Sequence, residues 1–152
     1  MANLIGTFAK GRFAQWCTLS AGSDQLVILL LQSSGLGTDT TLRNCQFISN
    51  VLAAGTEATF TNYARKTLTS GVSVTFSTVA FTATIGIGTQ TWFAAGGVTN
   101  NTIAKCVVGW KPTSAATDAQ TLLLGHYDVS SVTTSGSDLI GSWASGNIAL
   151  AS

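Results

Sequence analysis

Apolar positions in this chain fall into short blocks whose period changes along its length. Leu26 to Leu31 is continuously apolar, with turn-forming residues on either side, Ser20 to Asp24 before it and Ser33 to Thr38 after it. A run this short between turns predicts a strand buried on both faces. Asp39-Thr40-Thr41 then offers a helix N-cap, because a short side-chain oxygen can accept a free backbone N–H. Leu42, Cys45, Ile48 and Leu52 recur at intervals of three and four, and Val51 widens the stripe. This predicts one helix over about residues 41–53, ended by Gly55 in the left-handed conformation. A short helix is also expected over Phe8 to Trp16, with Gly11 weakening it.

From Ala58 the period becomes two. Val72, Val74 and Phe76 alternate with Ser73, Thr75 and Ser77, which predicts a strand with one buried face. Further strands are expected at Phe81 to Ile85, Gln90 to Ala95, Ile103 to Lys111, Thr121 to Val129, Leu139 to Trp143 and Asn147 to Ala151. In the third of these Cys106, Val108 and Trp110 point to a core, while Lys105 and Lys111 point away from it; Pro112 stops the strand. Arg65-Lys66 begins a strand after the connection from the helix. Short strands with regular turns predict a mainly β fold, a single-domain antiparallel sandwich or partly closed barrel covering residues 1–152.

Charge changes the picture more than any motif. Only 9% of the residues are charged, 45% are apolar, and the net charge is +1. Soluble domains average about 25% charged residues, whose repulsion keeps folded copies apart. So few charges suit a surface that other protein covers. The basic residues are scattered, with only Arg65-Lys66 adjacent, so no nucleic-acid groove is expected. No apolar run approaches the roughly 20 residues of a membrane-spanning helix, and the first residues carry no signal-peptide pattern. No membrane partner is expected. Cys17, Cys45 and Cys106 are dispersed and read as reduced, buried thiols.

Candidate chemistry is sparse. His126 and Asp128 lie two residues apart, on one face of a strand, without a nucleophile motif. Asp118, Asp128 and Asp138 recur every ten residues but lack the dense oxygen-ligand loop of a calcium site. One histidine and three separated cysteines give no zinc spacing. Gly35-Leu-Gly37 and Gly86-Ile-Gly88 continue into no phosphate-binding fingerprint and fit tight turns instead. No enzyme activity and no cofactor are therefore expected. The candidate interface residues are Trp92 and Trp143, large aromatic side chains near loops, with Arg43, Arg65 and Lys66, whose rarity suits specific ion pairs.

The order of segments resembles that of small structural proteins of tailed-bacteriophage virions. The resemblance runs through Ala9-Lys-Gly-Arg-Phe13, Ser23-Asp-Gln-Leu26, Glu57 to Leu68 with its Tyr63-Ala-Arg65 core, Asn101 to Val108, His126-Tyr-Asp128 and Gly136-Ser-Asp-Leu139. It implies a virion component with no catalytic residues. The function expected on this basis is decoration or cementing of the capsid, with the major capsid protein and copies of the chain itself as partners. The alternative is a tail or fibre component, such as a receptor- or glycan-binding module. Either places the protein in the virion after assembly in the host cytoplasm.

Overall fold

The computed structural model describes residues 4–5, 23–77, 82–143 and 147–151. The helix expected over Phe8 to Trp16 and the thiol of Cys17 lie outside the described residues.

Leu26 to Leu31 does form the doubly buried strand, β2 (Gln25–Gln32). It lies inside a five-stranded antiparallel sheet in the order β1 (Leu4–Ile5), β8 (Leu122–Thr133), β7 (Thr102–Lys111), β2, β3 (Lys66–Leu68). The two outer strands are short, which limits the unpaired sheet edge. A three-stranded sheet runs in the order β10 (Asn147–Ala151), β5 (Thr82–Ile87), β4 (Val72–Ser77). A two-stranded ribbon joins β6 (Gln90–Trp92) to β9 (Leu139–Gly141). The mainly β, sandwich-like expectation holds, and the large sheet does not close into a barrel.

Alternate residues of β2 feed two cores. Leu26, Ile28 and Leu30 join Cys106, Val108, Trp110, Leu124 and Tyr127, packed by Phe60, Ile85 and Trp92. Leu29 and Leu31 face the other way with Val107 and Leu123, under Leu42, Cys45, Ile48 and Val51. Each fully buried large side chain contributes about 1.5–3 kcal/mol, so both faces are held strongly.

The helix expected over residues 41–53 is two helices, α1 (Asp39–Arg43) and α2 (Ile48–Ala54). The break has a backbone cause. Gln46 C=O accepts from Leu123 N–H at 2.9 Å, and Ile48 N–H donates to Thr121 C=O at 2.9 Å. Phe47 forms a β-bridge with Leu122. Groups that a continuous helix would use internally are thus spent on the start of β8. The apolar stripe survives because both short helices lie on the same sheet face. Thr38, rather than Asp39 to Thr41, caps α1, its hydroxyl accepting from Thr41 N–H at 3.2 Å. Gly55 is extended at φ −161°, not left-handed.

Two further boundaries move. The strand expected through Ala95 stops at Trp92, and Ala94, Gly96 and Gly97 follow in the positive-φ region. The last long strand continues past Val129 to Thr133. Its register against β7 shifts between Val108 and Gly109, a bulge that puts Leu124 and Tyr127 in the same core. His126 and Asp128 fall on the helix side as a result. Lys105 also corrects its reading: it points away from Cys106 as expected, but α1 covers that face, and the residue is only 4% exposed.

Candidate functional site

The chain has seven basic and six acidic side chains, and among the described residues six of them pair with each other. Lys105 lies 2.6 Å from Asp39 of α1 and also bonds Asp128 of β8. Burial works against its ammonium, but hydrogen bonds to the two aspartates outweigh this and raise its pKa. The Lys105 hydrogen bond in turn holds the Asp39 carboxyl below its ordinary range. His126 sits beside this group, fully buried, its pKa lowered by burial and by the Lys105 charge. Among the described residues neither of its ring nitrogens has a hydrogen-bond partner. The His-Asp pairing allowed by the strand spacing therefore does not form; Asp128 serves Lys105.

Arg65 makes the second network. Its Nε and Nη2 donate to Glu57 at 2.7 and 2.6 Å, and Nη1 and Nη2 donate to Asp118 at 2.6 and 3.0 Å. Tyr63 hydroxyl donates to Glu57 at 2.8 Å and accepts from Leu30 N–H at 3.1 Å. This ties the segment after α2 to β2 and to the turn before β8. Arg65 is thus committed within the fold. Lys66 lies 5.4 Å from the centroid of the Trp92 ring, a cation–π contact. Trp92 itself is 2% exposed, and its indole N–H donates to Ala64 C=O at 2.8 Å. The ring expected near the surface is instead folded inward against the sheet by the ribbon, where it lines a cavity. Trp143 is half-buried, and Arg43 is exposed in the last turn of α1.

The three regularly spaced aspartates do not converge. Asp118 takes Arg65, Asp128 takes Lys105, and Asp138 accepts from Ala94 N–H at 2.8 Å. Among the described residues no group of histidine, cysteine and carboxylates is placed to hold a metal. No described helix is long and apolar enough to cross a membrane. Cys45 and Cys106 are free and buried, and burial pushes the Cys106 thiol up to about 12.

The surface feature that the sequence reading missed lies around the β6–β9 ribbon. Phe93 is 70% exposed, Ile140 63% and Val98 94%. Phe93 and Val98 stand on turns bound together by hydrogen bonds, and Ile140 lies in β9. Ala94, at φ 45°, donates to Asp138 and accepts from Asn62 Nδ2 at 2.9 Å. Ala95 N–H donates to Ser137 C=O at 3.0 Å, and Gly136 N–H returns to Ala95 C=O at 2.8 Å. Gly96 N–H reaches Thr61 C=O at 2.9 Å. A non-glycine residue held at positive φ costs about 1–3 kcal/mol, so this network fixes a conformation the chain would otherwise leave. Next to the platform is a cavity of about 400 Å³ between the ribbon and the large sheet. Cys106, Tyr127 and Ile103 of the sheet face Trp92, Leu139 and Trp143 across it. Its rim includes the exposed residues Val132 and Ile140.

Among the described residues this arrangement brings no nucleophile and base together, and the cavity is lined largely by apolar and aromatic side chains. Comparison with known proteins found no matching family model, curated protein or solved structure.

Proposed function

We propose that this chain is a structural subunit of a tailed-bacteriophage particle. It decorates or cements the head shell by packing against the major capsid protein and against copies of itself. One observation carries the reading: exposed apolar side chains stand on a hydrogen-bonded platform in a protein that spends much of its scarce charge internally. Isolated proteins rely on surface charge to stay apart. A subunit held permanently in a shell does not, and covering the platform recovers about 25 cal/mol per Å² of apolar area. Part of that gain offsets the entropy lost on association. Many copies on one shell add avidity, so each contact need only be modest.

The test is the copy number of the chain in purified particles. On the order of hundreds of copies, following the symmetry of the shell, is the expected result. A handful would move the protein to a connector or tail tip, and none would end the proposal.

The cavity beside Trp143 favours one second reading, a tail or fibre module that binds a glycan. Trp92 also lines this cavity but is only 2% exposed, whereas Trp143 is half-buried. A glycan screen comparing the wild type with Trp143→Ala decides: binding that the substitution leaves unchanged, or no binding at all, removes it.

A further inference from the structure

We propose that Lys105 and Asp128 condense to a covalent side-chain amide that cross-links β7 to β8. The inference goes beyond the particle reading and does not rest on it. Lys105 and Asp128 stand directly opposite each other in the antiparallel ladder. Lys105 Nζ bonds Asp128 Oδ1, so the Asp128 carboxyl carbon lies one covalent bond beyond the contact. The same nitrogen is 2.6 Å from Asp39 Oδ1 of α1. The Lys105 side chain is 5% exposed, that of Asp128 24% and that of Asp39 43%. A primary amine, a carboxyl group and a second carboxylate thus meet at one shielded atom, with Asp39 as the member most open to water.

One carboxylate neutralises Lys105, and the second leaves the group with a net negative charge. Desolvation works against the ammonium. Condensation removes one cation and one anion from the site and leaves a neutral amide. One ammonium proton passes to Asp128, giving an amine beside a carboxylic acid. The amine nitrogen attacks Cγ of Asp128 and the C–N bond forms. Asp39, kept ionised by its lowered pKa, takes a second proton from the nitrogen and delivers it to the Asp128 hydroxyl. The C–O bond breaks and water leaves. The nitrogen keeps one hydrogen, two protons and one Asp128 oxygen make the water, and Asp39 ends as it began. No oxidant or co-reactant is consumed. The two aspartates favour the charged lysine, so the neutral pair is scarce and the step is slow. It need occur only once per molecule, and groups held on adjoining strands react with an effective concentration of about 10⁵–10⁸ M. Freshly folded chain carries the ion pair and the acid response that depends on it; the cross-linked chain has lost the Lys105 charge. The amide closes a loop from 105 to 128 that persists in the unfolded chain and limits its freedom.

Intact-mass spectrometry of the purified full chain, denatured for the measurement, tests this. The expected result is a species lighter by one water, whose share grows as the folded protein is incubated. Protease digestion should then release a branched peptide joining Lys105 to Asp128, with trypsin unable to cut after Lys105. Lys105→Arg keeps the cation and removes the reactive amine, so it should retain the full mass. Asp39→Asn keeps a side chain of the same size that cannot carry the proton. It should fold with the wild-type circular dichroism and form the cross-link about a hundredfold more slowly, the lower end of what an acid–base group supplies. A folded wild-type chain that keeps its full mass on incubation overturns the inference. So does a water loss mapped to another site, or a branch at Asp39. Cross-linking of folded Asp39→Asn at the wild-type rate overturns the proton-carrying step.

Discussion

The Arg65 guanidinium lies 2.6 Å from the carboxylate of Asp118, 53 positions further along the chain. The same guanidinium holds Glu57, so one planar cation fastens three segments: the chain leaving α2, the start of β3 and the turn before β8. The geometry is the two-sided fork that only arginine presents. In a chain with seven basic residues, this use of one is structural.

Arg65→Ala should therefore lower stability by roughly 1–3 kcal/mol, the scale of lost charge-assisted hydrogen bonds at a half-buried site. Partial exposure of all three side chains keeps the figure toward the lower end. Arg65→Lys should recover only part of it, because a lysine cannot bond both carboxylates in the same plane. Urea unfolding midpoints measure both. A Lys variant equal to wild type would show that charge alone suffices.

Gly109 is where α2 comes down on the sheet. A Cβ there would lie 3.0 Å from Ile48 Cδ1 and 2.9 Å from Thr121 Cγ2. Gly109→Ala should destabilise by about 1–3 kcal/mol through overpacking. Combined with Ile48→Ala, the two losses should be less than additive, because the second substitution removes atoms that the first collides with. Thermal unfolding of the four proteins in the cycle provides the check.

Stability should fall on mild acidification. The folded-state pKa of His126 is depressed below its ordinary 6.5 by burial and by Lys105, so the unfolded chain takes up its proton first. Asp39 and Asp128 act in the opposite direction without reversing the shift, and Arg43 adds to it. Stability is full above about pH 6.5 and declines as pH drops from there toward the folded-state pKa. Asp39, held low by Lys105, adds a second loss as pH falls below its ordinary 3.8. His126→Leu should remove the first decline and leave the second. Unfolding free energies measured from pH 8 to pH 3 would expose an error in either assignment.

Cys106 should resist alkylation in the native protein. It is 5% exposed, and burial pushes its thiol up to about 12, so little thiolate exists at neutral pH. Cys45 is also buried, its thiol likewise pushed up by burial. Peptide-level mass spectrometry after iodoacetamide treatment should find both unmodified until denaturant is added. Rapid native labelling of Cys106 would mean that the cavity it lines opens readily.

Local pattern carried much of the architecture. The uninterrupted Leu26 to Leu31 run predicts a strand covered on both sides, and the helices and second core layer cover it. Alternation in Val72 to Ser77 and Ile103 to Lys111 predicts strands that form with close to those limits. Composition alone predicts a surface poor in charge. Each of these depends on side-chain polarity at short spacing, which the chain states directly.

Other features depended on partners far away in the sequence. The stripe from Leu42 to Leu52 fits one helix, but Thr121 and Leu123 claim the backbone of residues 46–48 and divide it. Lys105 occupies a position that reads as a solvated face; only the approach of Asp39 and Asp128 lets it be buried. Trp92 and Phe93 are adjacent and chemically alike, yet Trp92, paired in the ribbon, is buried, and Phe93, just past the strand, is exposed. Hydropathy assigns both to the interior. Pairing between strands turns Trp92 inward opposite Leu139, and the strand ends there, so Phe93 falls on the turn that follows.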